Sequence, residues 1–389
     1  AIIVPSMRTP AKIIDLATKE FDKNTYVVNS VDKKAYLSSL ALATHIVVTC
    51  DSTSMISECS FTGRSVYVYH LPFKRISTRI INFHKEFEEK CLWVIRNTMT
   101  NKKAIDEVVE FADKNGFNNL LVQVRGRGDA YYSSQLVPRS ELIFDSSFDP
   151  FEYIIEKAHD RGLNVHAWVN VYIVWASKKR PRARHHIYNR HSNWIDINGN
   201  NTKTLFNHEN EIMGEGYFLA PHHPEVNKYL LDVFRELTSL YDLDGLHLDY
   251  IRFQDSEYGN NVDAKTYFYK RKYNNQEKIF EDDENHAWND YRRSAITGLV
   301  KDTKQMLMDV RPTCKLSAAV KPNLLIARNR YFQEWDVWLA AGYLDWVMPM
   351  NYTPDIRDFA ENIDLMYDHL PKKYRDRIMM GIALYNQDE

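Results

Sequence analysis

Residues 244–253 read Asp244-Gly-Leu-His-Leu-Asp-Tyr-Ile-Arg-Phe253, and the fold turns on how that stretch is placed. A strand sends alternate side chains to opposite faces. His247, Asp249 and Ile251 then share one face, and Leu246, Leu248 and Tyr250 the other. An aliphatic run of this length matches a strand of a parallel sheet, which is covered on both sides and is almost purely apolar. Here an imidazole, a carboxylate and Arg252 interrupt the run near its C-terminal end. A charge buried without a partner costs several kcal/mol. Two readings follow: Asp249 is paired internally with Arg252 or His247, or it is a carboxylate held at the mouth of a barrel.

Working outward, the same pattern recurs. Candidate strands are CLWVIRN (91–97), NLLVQVRG (119–126), NVHAWVN (164–170), KLSAAV (315–320), LDWVMPMNY (344–352) and RIMMGIALY (377–385). Helical periodicity fills the intervals, closed by Gly116, Gly162, Pro312 and Pro371, residues that stop helices. Repeated strand–helix units predict an α/β fold of the (β/α)8, TIM-like barrel type. Seven strands are legible, so the eighth unit is absent or supplied elsewhere. Long insertions at 171–223 and 254–290 follow the third and fourth strands. In such barrels the loops after the strands build the active face.

Upstream, short apolar runs (AIIVPS, TYVVN, HIVVTC, SVYVYHL) alternate with helical patterns such as Pro10–Phe21 and AYLSSLALA. This predicts a partial Rossmann-like α/β segment over 1–82, a connector helix over 83–90 and the barrel over 91–389. The chain has no initiator Met and no signal-peptide pattern, and reads as starting inside a domain.

Composition narrows the classes. Over 389 residues the formal net charge is −2, so no nucleic-acid partner is expected, since such proteins carry a basic excess or stripe. No apolar run approaches the roughly 18 residues needed to cross a bilayer, so no transmembrane segment is predicted. Cys50, Cys59, Cys91 and Cys314 form no CxxC pair and suggest neither a disulfide framework nor a zinc site. His185, His186, His191, His222 and His223 lack HExxH-type spacing, so neither a metal nor any other cofactor is expected. The basic run 178–186 reads as a solvated loop. Aromatic residues make up 13% of the chain, which suits stacking against sugar faces as well as a large core.

Candidate site residues lie at strand ends. After the second strand, Gln123-Val-Arg-Gly-Arg-Gly-Asp129 places Gln123 and Arg125 on one face by alternation, with Arg127 and Asp129 in a glycine-loosened turn. Two arginines and a carboxylate in one loop suit an anionic or polyhydroxylated ligand. His166, Trp168 and Asn170 end the third strand, and Asn351 and Tyr352 end the sixth. An Asn there offers donor and acceptor to a sugar hydroxyl, and the rings offer stacking surface.

GFNNLLVQVRGRGDAYY, NVHAWVNVYIVW, DGLHLDYIRF, KLSAAV and VMPMNYTPD, in this order over roughly 90–385, resemble the family-10-like glycosyl hydrolases. That resemblance implies a barrel acting on an oligo- or polysaccharide, with some relatives working on peptidoglycan strands lacking peptide stems. It makes Asp249 the main catalytic carboxylate; the residues themselves place Gln123, Arg125, Arg127, Trp168, Asn170, His247, Arg252, Asn351 and Tyr352 as candidates around the substrate. Asp249 serves as nucleophile or electrostatic stabiliser, and Asp129, Asp355 or an acid borne on an insertion serves as proton donor. Residues 1–80 resemble the end of the Elm-type family, which is similar to GT-B glycosyltransferases. There Asp51, Ser52, Ser54 and Glu58 would lie near a nucleotide-sugar. Only part of one half is present, so a fusion or a piece of a longer protein fits better than an independent transferase. The barrel resemblance implies a periplasmic or envelope setting, the Elm-type one a cytoplasm-facing setting. Three functions are expected in turn: glycoside hydrolase, carbohydrate-binding barrel without catalysis, and transferase remnant fused to a barrel.

Overall fold

The computed structural model describes residues 2–5, 11–20, 25–28, 30, 32–43, 45–49, 65–69, 89–199, 214–273 and 281–382. Two compact units emerge, residues 1–88 and 89–389. In the first, β1 (Ile2–Ile3) pairs in parallel with β2 (Tyr26–Val27), and β3 (His45–Thr49) with β4 (Ser65–Tyr69). Helices α1 (Ala11–Glu20) and α2 (Lys33–Leu42) lie between strands in sequence. Asp32 caps α2 by accepting from the Lys34 and Ala35 N–H groups. Asp51, Ser52, Ser54, Glu58, Cys50, Cys59 and nearly all of the predicted connector lie outside the described residues.

The second unit is built on a curled, wholly parallel six-stranded sheet, β5 (Cys91–Val94), β6 (Asn119–Arg125), β7 (Asn164–Asn170), β10 (Gly245–Asp249), β11 (Lys315–Val320) and β12 (Trp346–Pro349), side by side in that order. Between β7 and β10, a short antiparallel ribbon of β8 (Ile173–Trp175) and β9 (Tyr217–Phe218) frames the first insertion. The predicted seventh strand is reduced to two parallel bridges, Ile378 to Val347 and Gly381 to Met350; residues 383–389 lie outside the described residues. The curl brings the first strand round to this segment, with Cys91 Sγ 3.8 Å from Met379 Sδ. Leu121, Trp346, Met348, Trp93 and Met379 pack together inside.

Helices cover the outer face because their apolar stripes have the helical period. In α3 (Lys102–Lys114), Ile105, Val109 and Ala112 are buried, and the Asn101 side chain caps the first turn. In α4 (Pro150–His159), Asp149 is the N-cap, Pro150 opens the helix, and Phe151, Ile154, Ile155 and Ala158 face inward. In α6 (Val226–Leu240), Val226, Leu230, Val233, Phe234 and Leu237 do the same. Gly116 and Gly162 take the positive φ of helix stops, +67° and +70°.

One device aligns the strands at their N-terminal ends. A side chain just ahead of a strand accepts the N–H at the start of a neighbouring one: Asn118 from Lys90 at 2.7 Å, Asp244 from Val165 at 2.8 Å, Asp345 from Leu316 at 2.7 Å. Asp244 also binds His159 Nε2 at 2.8 Å. Asp244 therefore serves the register of the sheet, at the end opposite to Asp249.

Candidate active site at the strand ends

Asp249 is the last residue of β10, opposite Asn170 of β7. The strand stops there because Tyr250 has φ +51°, a left-handed conformation uncommon for a residue other than glycine. This corrects the alternation expected through Phe253: Ile251 packs with Leu246 and Leu248 in the outer core. The turn also folds the Tyr250 N–H back onto Asp249 Oδ1 at 2.6 Å. Asp249 Oδ2 accepts from Trp168 Nε1 at 3.1 Å. Only 7% of the residue is exposed. Burial pushes its carboxyl above the ordinary aspartate range, and the Glu215 carboxylate adds to the rise. The Tyr250 N–H, the Arg252 charge and the Trp168 donor pull the other way.

Neither internal pairing open on the sequence is realised. Arg252 is buried but binds Glu215 Oε2 at 2.6 Å, and its guanidinium also donates to the Phe253 carbonyl. Its plane stands 5.1 Å from the centres of both the Tyr250 and Tyr331 rings. His247 Nδ1 meets Ser317 Oγ at 2.8 Å, and the ring stands edge-on to Trp93. Burial drives its pKa down to about 3, so this imidazole is neutral and belongs to the barrel filling. Lys321, just beyond β11, completes the charged group: burial lowers its pKa, and the nearby Glu215 and Asp249 carboxylates raise it. Asp249, Glu215, Arg252 and Lys321 therefore share one electrostatic environment. Glu215 is an acid borne on the first insertion, and Lys321 and Tyr331 come from the loops after β11. None of the three carries a strand-end signal in the sequence.

The second-strand loop departs from expectation. Gln123 pairs with Trp168 but Arg125 with Val169, so a bulge separates them and Gln123 and Arg125 do not share a face. Arg125 is fully buried, donating to the Asn170 and Val171 carbonyls. It braces the end of β7. Gln123 and Asn170 also spend their polar atoms within the protein: Gln123 Nε2 donates to Asn170 Oδ1 at 3.3 Å, and Asn170 Nδ2 to the Gly126 carbonyl at 2.9 Å. Arg127 is different. Its guanidinium lies 5.9 Å from the centre of the Tyr250 ring, beside Asp249 in sequence.

Asp129 accepts the Arg127 N–H at 2.8 Å and lines a cavity of about 460 Å³ with Arg127 and Trp175. Asp355 has another job. It is the N-cap of α11 (Ile356–His369) and forms an ion pair with Arg357 at 3.2 Å. That side-chain bond holds its carboxyl below the usual range, which is the wrong direction for a proton donor at neutral pH. Asn351 donates to the Phe359 carbonyl and accepts from Asn362, anchoring the chain after β12. Tyr352 is half-buried, next to Gly381. Among the described residues no group of three or more His, Cys, Asp or Glu side chains is placed to hold a metal ion, and no helix is long and apolar enough to cross a membrane.

Comparison with known proteins converges on the second unit. Residues 88–388 match the family model described as glycosyl hydrolase-like 10, and residues 1–113 match that of mitochondrial fission ELM1. Glycosyl hydrolase DigH of Escherichia coli (strain K12) is 24% identical over 324 residues, covering 74% of this chain and 67% of that protein. Glycosyl hydrolase YngK of Bacillus subtilis is also 24% identical, covering 75% of this chain and 58% of that one. Mitochondrial fission protein ELM1 of Arabidopsis thaliana is 36% identical over 90 residues, 23% of this chain. Among solved structures, the PgaB (BpsB) glycoside hydrolase domain of Bordetella bronchiseptica superposes with a TM-score of 0.56 at 12% identity. It covers 76% of this chain and 84% of that one, and supports the α/β-barrel fold.

Proposed function

The chain belongs to the glycosyl hydrolase-like 10 family, and on that premise we propose that it cleaves glycosidic bonds in a bacterial glycan, denuded peptidoglycan strands being the first substrate to test, through Asp249 and Glu215. The observation that carries this reading is a pair of unlike carboxyls in one electrostatic environment: Asp249 at the end of β10, buried with its pKa raised, and Glu215 on the first insertion, ion-paired to Arg252. Glycoside hydrolysis needs one carboxyl to protonate the leaving oxygen and another, ionised, to assist at the sugar carbon. Environments that separate two carboxyls assign the roles. Asp249 fits the proton donor, and Glu215, ion-paired with Arg252, fits the nucleophile or base. This reverses the role expected for Asp249 from the family resemblance and replaces Asp129 and Asp355 as its partner. Trp168 and Tyr250 hold the Asp249 carboxyl in place, and Lys321 balances the charge of the pair.

Incubation with denuded glycan strands and with chitin-like oligomers, followed by mass spectrometry, tests the reading. Shortened products are expected from at least one. Binding by calorimetry with no product from either would make the protein a carbohydrate-binding barrel instead.

A pH profile adds a second check. If Asp249 supplies the proton, rate falls as pH rises through its raised pKa, giving an alkaline limb above the ordinary aspartate range. Trp168→Phe removes a donor that favours the anion, so ionisation becomes harder and the limb moves to higher pH. A limb that stays put or moves down would detach Trp168 and Asp249 from the titration.

A further inference from the structure

We infer that the cavity beside the Asp249 site is a subsite for a sugar ring bearing a carboxylate, recognised by Arg96 and Arg127. This deepens the hydrolase reading and rests on it for the role of the neighbouring carboxyls, although the subsite is itself a matter of binding.

The cavity holds about 460 Å³, within the usual range for small-molecule sites. Its wall includes Arg96, Arg127, Asp129, Tyr131, Trp175 and His186. Arg96 has no ion pair and no side-chain hydrogen bond among the described residues. It lies over Gly126 so closely that a Cβ there would sit 2.6 Å from its Cδ and 2.7 Å from Nη1. The glycine in the Arg-Gly-Arg-Gly-Asp loop therefore makes room for this guanidinium, a purpose separate from turning the chain. Arg127 has no carboxylate within ion-pair distance among the described residues; its guanidinium donates to the Gly126 carbonyl at 3.3 Å. The two guanidiniums repel each other, an arrangement that gains stability when an anion bridges them.

The other charges on the wall are engaged. Arg139 donates to the Asp145 and Phe148 carbonyls, and Glu141 faces Arg182 at 3.7 Å. Asp129 accepts the Arg127 N–H and offsets one of the two guanidiniums. Over the whole wall three arginines (Arg96, Arg127, Arg139) face two carboxylates (Asp129, Glu141), an excess of one positive charge that matches one carboxylate. Trp175 presents an indole, whose N–H is bonded to the Lys179 carbonyl, as a surface for a ring. His186 is not a rival cation: burial lowers its pKa to about 4, and its Nε2 meets the Arg127 carbonyl at 2.9 Å. Arg127 lines this cavity and also stands 5.9 Å from the centre of the Tyr250 ring, which links the subsite to the residue following Asp249.

The test is a pair of ligands differing only in the charge. A hyaluronan tetrasaccharide carries glucuronate carboxylates; its carboxyl-reduced form has the same linkages with neutral hydroxymethyl groups. Calorimetry on the full chain is expected to show the acidic form binding about tenfold more tightly at low salt, and Arg96→Met to bring the ratio close to one. Equal affinities in the native protein, no binding of the acidic form, or a preference that survives in the Arg96→Met Arg127→Met double variant would each overturn the proposal. Because nothing need be cleaved, a chain that binds the acidic form selectively but hydrolyses no glycan keeps the subsite and loses the hydrolase, and the converse result does the opposite.

Discussion

Asp249→Asn will slow cleavage of an unactivated glycan by about a hundred- to ten-thousandfold, the usual contribution of a positioned general acid, and will slow an aryl glycoside with a good leaving group by roughly tenfold or less. The asymmetry follows from the proposed role. A nitrophenolate departs without being protonated, whereas a sugar alkoxide does not, so only the second reaction needs the buried proton. Asn keeps the size of the side chain and an acceptor for Trp168 or the Tyr250 N–H, so the melting temperature should stay near that of the parent. Glu215→Gln behaves differently: an ionised partner at the sugar carbon serves both substrates, and both rates should collapse together. Initial rates on the two substrates with each variant give the answer. Unchanged turnover of the glycan by Asp249→Asn removes this residue from the chemistry altogether, while equal losses on both substrates return it to the role of nucleophile.

The largest effect on stability is expected at Gly245. A Cβ placed there would lie 1.9 Å from His166 Nδ1 and 2.5 Å from Cε1. The imidazole has nowhere to go: it is buried, stacked on Trp346 with ring centres 5.4 Å apart, and bonded through Nε2 to Asn119 Oδ1 at 3.1 Å. Overpacking a rigid core commonly costs about 1–3 kcal/mol and sometimes more, and this contact belongs at or above the upper end, so Gly245→Val should lose at least about 3 kcal/mol in urea unfolding. Gly245→Ala paired with His166→Ala isolates the cause. The double variant should cost clearly less than the sum of the two singles, since the clash disappears with the ring. Strict additivity, or a Gly245→Ala protein within about 0.5 kcal/mol of the parent, would show that the barrel floor yields and that the argument from space is wrong.

Gly245 shows where sequence reading reaches its limit. Asp244-Gly looks like turn chemistry, and its place at the start of a strand is correctly signalled. That Asp244 aligns a neighbouring strand and that Gly245 clears a ring from β7 depends on which strands are neighbours. The same holds for the bulge after Gln123, which turns Arg125 from a ligand contact into a brace for the end of β7, and for Tyr250, whose φ ends β10 two residues before Ile251. A single inserted residue or one left-handed dihedral shifts the phase of a period-two pattern, and the composition of the run does not record it.

The parallel strands, the intervening helices and the place of Asp249 near the C-terminal end of its apolar run were determined by sequence alone, because hydrophobic periodicity and helix-stop residues are local and survive any tertiary arrangement. Arg252's true partner, the influence of the Glu215 charge on Asp249, and the two guanidiniums at the cavity wall were decided only by the tertiary structure. Glu215 is 34 residues from Asp249 in the chain (249 − 215) and sits in an insertion without periodicity. Its charge acts through space, on a carboxyl whose protonation is governed by how much water the surrounding fold excludes.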